Sequence, residues 1–228
     1  SHNVLNRGVS LALRAASLIA CEDTRRTRIL LTHFQIPVPR MLSYRENREV
    51  SAGNVILEHL KQGHTVTLCS DGGFPGISDP GYRLVRLAVE NDIRMEVIPG
   101  ASAVLTALVL SGLPTSSFTF KGYPPRRPGV LHRFFEDEAG MQNTLVVYES
   151  PFRVGVTLAA ALKALGNRLA AVCVELTKKF ERVHRGPLEQ LEAEFRDSKV
   201  KGEVTIVIAG NNPKFTEPEG DNGELENG

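Results

Sequence analysis

Three short segments combine the small, conformationally free residues that let a backbone touch a ligand. The first, Ser70-Asp71-Gly72-Gly73-Phe74-Pro75-Gly76-Ile77-Ser78-Asp79-Pro80-Gly81, places four glycines and two prolines in twelve residues. Such a loop admits close main-chain approach while limiting its own freedom; it equally suits a rigid turn ahead of a capped helix. Pro99-Gly100-Ala101-Ser102 is a small-residue turn into a helix N-terminus, which suits a carboxylate or phosphate or serves only as a cap. Tyr148-Glu149-Ser150-Pro151 is open to the same two readings.

Basic residues supply the second kind of chemistry. Arg25, Arg26 and Arg28 follow Cys21-Glu22-Asp23-Thr24, Arg126 and Arg127 occupy a Pro-rich stretch, and Lys178, Lys179, Arg182, His184 and Arg185 follow an apolar run. Any one cluster reads as a solvated face; three of them on loops at strand ends favour an RNA-facing surface. Aromatic interleaving is thin, so a base-stacking sheet of the RNA-recognition-motif or OB type is not expected. No GxGxxG follows a strand and no GxxxxGK[ST] is present, which argues against dinucleotide oxidoreductases and P-loop NTPases. Neither HExxH nor a His cluster points to a metal, and none is expected.

The elements that must position these loops alternate. A helix pattern runs from Ser51 through Ile56 to Gly63, TVTLCS (65–70) is a strand, and Asp79-Pro80 is a cap-plus-proline helix start. RMEVIP (94–99) reads as a further strand, and Ser102 caps an apolar helix that stops at Gly112. The rhythm resets near Leu113-Pro114. SFTFKGY (117–123), NTLVVYE (143–149), LAAVCVEL (169–176) and GEVTIVIAG (202–210) read as strands, Ser150-Pro151 starts a helix ending at Gly166, and Gly186-Pro187 opens another. This is an α/β protein, expected to hold mostly parallel sheets with helices on both faces. Ligands in such sheets sit beyond the carboxyl ends of the strands, where all three loops fall.

The boundaries expected are an N-terminal αβα domain over 1–112, a C-terminal αβα domain over 113–212 and an acidic disordered tail over 213–228. Ser1-His2 reads as a tag remnant. The 228 residues carry a net charge of +1, but Glu217, Glu219, Asp221, Glu224 and Glu226 all lie from Thr216 onward, so residues 1–215 carry +6. That balance is compatible with an anionic partner. Cys21, Cys69 and Cys173 each lie in or end an apolar run, which predicts buried reduced thiols and a cytoplasmic setting. No apolar run approaches the roughly 18 residues of a membrane span, and no membrane partner is expected.

At the loops the sequence becomes recognisable. CEDTRRT (21–27), SDGGFPGISDPG (70–81), PGASA (99–103), SGLPT (111–115), YESPFR (148–153), ELTKKFE (175–181) and KGEVTIVIAG (201–210) occur in that order. Together, over roughly residues 5 to 213, the chain resembles the ribosomal RNA small subunit methyltransferase I family of the tetrapyrrole-methylase superfamily. The resemblance implies two αβα domains with an S-adenosylmethionine cleft between them, a homodimer, and 2′-O-methylation of a cytidine ribose in 16S rRNA of the small ribosomal subunit. It also implies a strand and a Gly/Pro-rich loop ahead of the first helix, where this chain has only Asn6-Arg7-Gly8-Val9-Ser10, and Thr where it has Phe74.

By the same resemblance, Asp71, Gly72, Gly73, Pro75, Gly100, Ala101 and Ser102 would hold the cofactor from the first domain, and Tyr148, Glu149, Ser150, Leu176 and Thr177 from the second. Glu22, Asp23 and Lys178 are the candidates for proton handling, and Arg25, Arg26, Arg153 and Lys179 for RNA phosphates. Two alternatives stand beside this reading. One is the same fold methylating a tetrapyrrole or other small molecule; the other is a non-catalytic RNA- or ribosome-binding protein whose cofactor site has decayed.

Overall fold

The computed structural model describes residues 7–215. The expectations for Ser1-His2 and for the tail from 216 onward lie outside the described residues; of the stretch 6–10 expected ahead of the first helix, residues 7–10 form the first turn of that helix instead. Of the expected tail, Pro213–Phe215 forms a short 3-10 turn. By packing the chain divides after Ser102 into an N-terminal and a C-terminal unit.

In the N-terminal unit, helix α1 (Arg7–Ala15) leads to β1 (Leu18–Cys21), α2 (Thr24–His33), β2 (Arg40–Ser43), α3 (Glu49–Lys61), β3 (Val66–Cys69) and α4 (Tyr82–Glu90). The strands form a parallel sheet in the order β2-β1-β3. Leu-Ile-Ala-Cys of β1 is buried throughout, the continuous apolar run that a central parallel strand requires. Its side chains alternate between two cores. Ile19 and Cys21 meet Leu13 of α1 and Leu31 of α2, while Leu18 and Ala20 meet Ile56 of α3 and Leu84 of α4. The sheet is thus covered by helices on both faces.

The expected strand over 94–99 is corrected: this segment forms no ladder, and Val97 is 73% exposed. Apolar alternation states only that a segment suits a half-buried pleat; the neighbouring strand supplies the pairing, and here the sheet ends at β3. The helix expected at Asp79-Pro80 begins instead at Tyr82. Gly81, at φ 152°, takes the cap position.

The C-terminal unit opens with α5 (Ala103–Ser111), the helix that the sequence assigned to the first domain. It continues with β4 (Phe118–Phe120), α6 (Pro128–Glu136), β5 (Thr144–Glu149), α7 (Val154–Leu165), β6 (Leu169–Val174), β7 (Arg182–Pro187), α8 (Leu188–Phe195) and β8 (Val204–Ile208). Its sheet runs β4-β5-β8-β6-β7. Val104, Ala107 and Leu108 of α5 cover one face through Val146, Ala171, Cys173 and Val207, and α6, α7 and α8 cover the other.

This sheet corrects the mostly parallel expectation. Only β4 and β5 are parallel, because β8 enters antiparallel between β5 and β6, and β7 pairs antiparallel with β6. A strand buried on both faces is a continuous apolar run in either direction, so Val-Thr-Ile-Val-Ile carries no mark of its orientation. The strand β7 stands where the basic residues 182–185 predict a loop. An edge strand pairs on one side only and tolerates charge, so Arg182 and Arg185 obscure it.

Candidate functional site

In the N-terminal unit, the parallel register Cys21↔Cys69 sets the carboxyl ends of β1 and β3 side by side. The loop after each strand therefore leaves from the same sheet end, and the two motifs meet. Asp71 accepts from the backbone N–H of Asp23 (3.3 Å) and pairs through its other oxygen with Arg26 (3.3 Å). Asp23 is also the N-cap of α2. It accepts from the Arg25 N–H at 2.9 Å and pairs with the Arg25 guanidinium at 2.9 Å. The Arg25 side-chain and backbone hydrogen bonds hold the Asp23 carboxyl well below the usual carboxylate range. The neighbouring Glu22 gives its carbonyl to Arg45 Nε at 2.8 Å.

The loop after β3 is folded back on itself. The Ser70 hydroxyl donates to the carbonyls of Gly72 and Gly73, at 3.3 and 3.4 Å. Gly73 has φ +79°, which disfavours any side chain, yet a Cβ there would meet nothing within 4 Å. A Cβ at Gly72 or Gly100 would also meet nothing, with no such restriction on φ. At these three positions the backbone lies bare. Gly81 is glycine for another reason, since a Cβ would come within 2.8 Å of the Gly76 nitrogen. Its own N–H donates to Glu49 (3.1 Å), which fixes the far end of the loop. Phe74 and Pro75 lie half-buried within it.

In the C-terminal unit, β5 delivers Tyr148 and Glu149. Glu149 is only 2% exposed and is fully engaged at the start of α7: it accepts from the Ser150 N–H (2.6 Å) and the Thr157 hydroxyl, and lies 3.6 Å from Arg153. Arg153 is half-buried and donates to the carbonyls of Pro124 (3.4 Å) and Pro125 (2.8 Å). Tyr148 packs between Phe120 and Tyr123, with ring centroids 4.8 and 5.6 Å away.

The turn after β6 is strained. Glu175 and Thr177 both adopt positive φ, +52° and +64°, a rare state for a β-branched residue and a recurrent mark of ligand-holding turns. Sequence reading missed the network that pins it. Glu175 accepts from Lys178 Nζ (2.8 Å) and the Glu203 N–H (2.8 Å), and Lys178 also pairs with Glu203 (3.0 Å). Gly202 at φ +97° makes room, for a Cβ there would overlap the Glu175 carboxylate. Hydrogen bonding to Glu175 raises the Lys178 pKa above its ordinary value, and the same contact lowers that of Glu175. The Thr177 N–H donates to Glu181 at 2.6 Å, and Lys179 is exposed. No sequence spacing announces Glu203, because β8 brings it across from far along the chain.

The basic run after β6 is divided by the fold. Arg185 donates to the Leu110 carbonyl at the end of α5, and His184 meets Glu194 at 2.7 Å. Among the described residues no group of three His, Cys, Asp or Glu side chains converges as a metal site.

Two helix-covered sheets with glycine-rich and strained turns at their strand ends define the class. The sequence matches the family of Tetrapyrrole (Corrin/Porphyrin) Methylases over residues 5–192. Among solved structures, a cobalt precorrin-4 methyltransferase of cobalamin biosynthesis superposes with a TM-score of 0.63 at 14% identity, covering 92% of this chain and 90% of that one. A uroporphyrin-III C-methyl transferase from Thermus thermophilus, complexed with S-adenyl homocysteine, gives 0.57 at 19% identity over 89% of this chain and 90% of that one. Similarity in sequence is narrower. The ribosomal RNA small subunit methyltransferase I of Halalkalibacterium halodurans is 44% identical over 91% of this chain and 71% of that protein. The protein of that name from Mycobacterium tuberculosis strain H37Rv is 41% identical over 90% and 72%. This chain belongs to the ribosomal RNA small subunit methyltransferase I family.

Proposed function

We propose that this protein transfers a methyl group from S-adenosylmethionine to the ribose 2′-oxygen of a cytidine in 16S ribosomal RNA of the small subunit. The observation that carries the cofactor reading is the bare backbone at Gly72, Gly73 and Gly100. Three glycines whose Cβ positions face open space leave main-chain groups accessible to a ligand lying flat against them. The residues present fit such a cofactor, whose adenosine and zwitterionic ends suit main-chain hydrogen bonds. Asp71, Gly72, Gly73, Pro75, Gly100, Ala101 and Ser102 in the N-terminal unit, and Tyr148, Glu149, Ser150, Leu176 and Thr177 in the C-terminal unit, are the residues we assign to it.

Bound cofactor supplies an electrophilic sulfonium methyl for in-line displacement. The chain's task is then to position the ribose and manage one proton. Asp23, held ionised far below the usual range, is a weak base and serves to cap α2 and orient Arg25. Lys178, held protonated by Glu175 and Glu203, offers a fixed cation for charge developing on oxygen. Glu22, whose carbonyl is pinned by Arg45, is the carboxylate we assign to proton acceptance. Arg25, Arg26 and Lys179 are exposed and suit phosphate contacts.

The assembly we propose is a homodimer, supported by the exposed apolar side chains Leu105 and Val109 of α5, and its setting the cytoplasm. No helix among the described residues is long and apolar enough to cross a membrane. Calorimetry with S-adenosylmethionine, followed by transfer of labelled methyl to small ribosomal subunits, tests the reading. Heat of binding and label at a cytidine ribose are expected. Absence of both heat and a rise in melting temperature sinks it.

A further inference from the structure

The loop between β4 and α6 is tethered at almost every residue. Lys121 pairs with Glu138 (2.8 Å) and lies over the Phe134 ring, and the Gly122 carbonyl accepts from the Tyr148 N–H (2.9 Å). Arg153 holds the Pro124 and Pro125 carbonyls, Pro124 is buried, and the Arg127 carbonyl accepts the first hydrogen bonds of α6. Three side chains stand out from this fixed frame. Tyr123 is 61% exposed with one flank against Tyr148, and Arg126 and Arg127 are exposed. Neither arginine has a carboxylate within ion-pair distance among the described residues, a state shared with the exposed Arg28, Arg48, Arg94, Arg133 and Arg182, whereas Arg25, Arg26, Arg83, Arg86 and Arg196 each have one.

A surface ring beside two unneutralised guanidiniums, on a loop that has already lost its conformational entropy, matches how proteins take single-stranded RNA: a base stacks on the ring and flanking phosphates meet the arginines. We propose that Tyr123, Arg126 and Arg127 form an RNA-reading loop that stacks an unpaired base and grips its neighbouring phosphates, and that Arg153 is the positioning residue that presents it. This rests on the RNA-methyltransferase reading. It also changes the role of Arg153, which faces the Pro124 and Pro125 carbonyls and Glu149 rather than serving as a phosphate ligand.

The test is fluorescence anisotropy of the full chain with a fluorescein-labelled single-stranded RNA containing cytidine, a duplex RNA of equal length, and poly-glutamate as competitor. Arg126→Ala with Arg127→Ala should weaken single-strand binding and lower the salt slope by about 1.4, at about 0.7 per lost phosphate contact. Tyr123→Leu should weaken the single strand about tenfold, leave the salt slope unchanged and spare the duplex. Arg153→Met should weaken binding and speed tryptic cleavage after Arg126. Arg153→Lys, which keeps a cation beside Glu149, guards against simple unfolding and should fall between the two. S-adenosylmethionine affinity should hold in the Tyr123 and Arg126/Arg127 variants. Parental RNA affinity in those variants overturns the loop while leaving the RNA reading intact. Poly-glutamate competing as well as RNA overturns it in favour of an acidic protein partner, and a parent that binds no RNA overturns both readings.

Discussion

Gly72 and Gly73 separate two reasons for a glycine. Gly73 sits at φ +79° with nothing within 4 Å of an added Cβ, so Gly73→Val costs mainly backbone strain on the order of 1 kcal/mol. Gly72 lacks even that restriction, and Gly72→Ala should fold with an unchanged melting temperature. Both variants should lose most of their S-adenosylmethionine affinity by calorimetry if, as proposed, the cofactor lies against this backbone. A Gly72→Ala protein that binds like the parent removes the site from this loop. Phe74→Thr is the converse probe, adding a hydroxyl that can hydrogen-bond. Arg25 and Arg26 belong to the same scale: their bridges to Asp23 and Asp71 are exposed and contribute little to stability. Replacing both with Ala should flatten the salt dependence of RNA binding by about 1.4 and barely alter cofactor affinity. Equal loss of both ligands would make them structural.

Arg168 shows what an element's end can require. It is buried at the C-terminal end of α7 without a carboxylate, and its guanidinium donates to the carbonyls of Leu165 (3.0 Å), Ala209 (3.4 Å) and Ala139 (2.6 Å). One side chain thus ties α7, the residue after β8 and the residues following α6. Arg168→Met fills similar volume but strands two buried acceptors and a part-buried one, so a loss of about 2–3 kcal/mol is expected in urea denaturation. A loss under about 1 kcal/mol would mean that solvent reaches those carbonyls. The turn after β6 depends on Gly202 in the same way: Gly202→Ala displaces the Glu175 carboxylate and releases Lys178. Methyl transfer should fall at least tenfold with little change in RNA affinity; parental turnover would show that the network serves only the turn.

At the scale of the whole molecule, protonation couples the fold to pH. Burial pushes the Cys69 thiol up to about 12 and Cys173 up to about 11, from an ordinary value of 9.0. The folded chain keeps protons that the unfolded chain releases, so this stability is complete below the ordinary value and is lost as pH rises through the folded values. The melting temperature should hold from neutral pH to about 9 and then fall, while Asp23 acts at the other end, losing its contribution as pH drops below the carboxylate range. Of the three thiols expected to be buried, Cys21 and Cys173 are and Cys69 is half-buried; iodoacetamide at about pH 8 should leave all three unmodified until urea is added, since only the thiolate reacts. Rapid native labelling would place a thiol at the surface.

The sequence by itself determined the α/β class, the helix-covered sheets and the glycine-rich loop that leaves the end of β3. Those features are local: the apolar runs of β3, β5, β6 and β8 and the glycines of 70–81 each state their requirement within a few residues. Only the tertiary structure decided what depends on a partner distant in the chain. It showed that β8 runs antiparallel and carries Glu203 to Lys178, that β7 is an edge strand despite its charges, and that residues 94–99 lack a neighbour to pair with. It brought Asp71 to the Asp23 N–H through the β1–β3 register, and it turned Glu149 and Arg153 inward onto α7 and the proline carbonyls. The physical reason is common to all of these. Apolar pattern and turn chemistry fix which groups must be buried or strained, but strand direction and charge pairing are set by whichever segment the packed sheet places alongside.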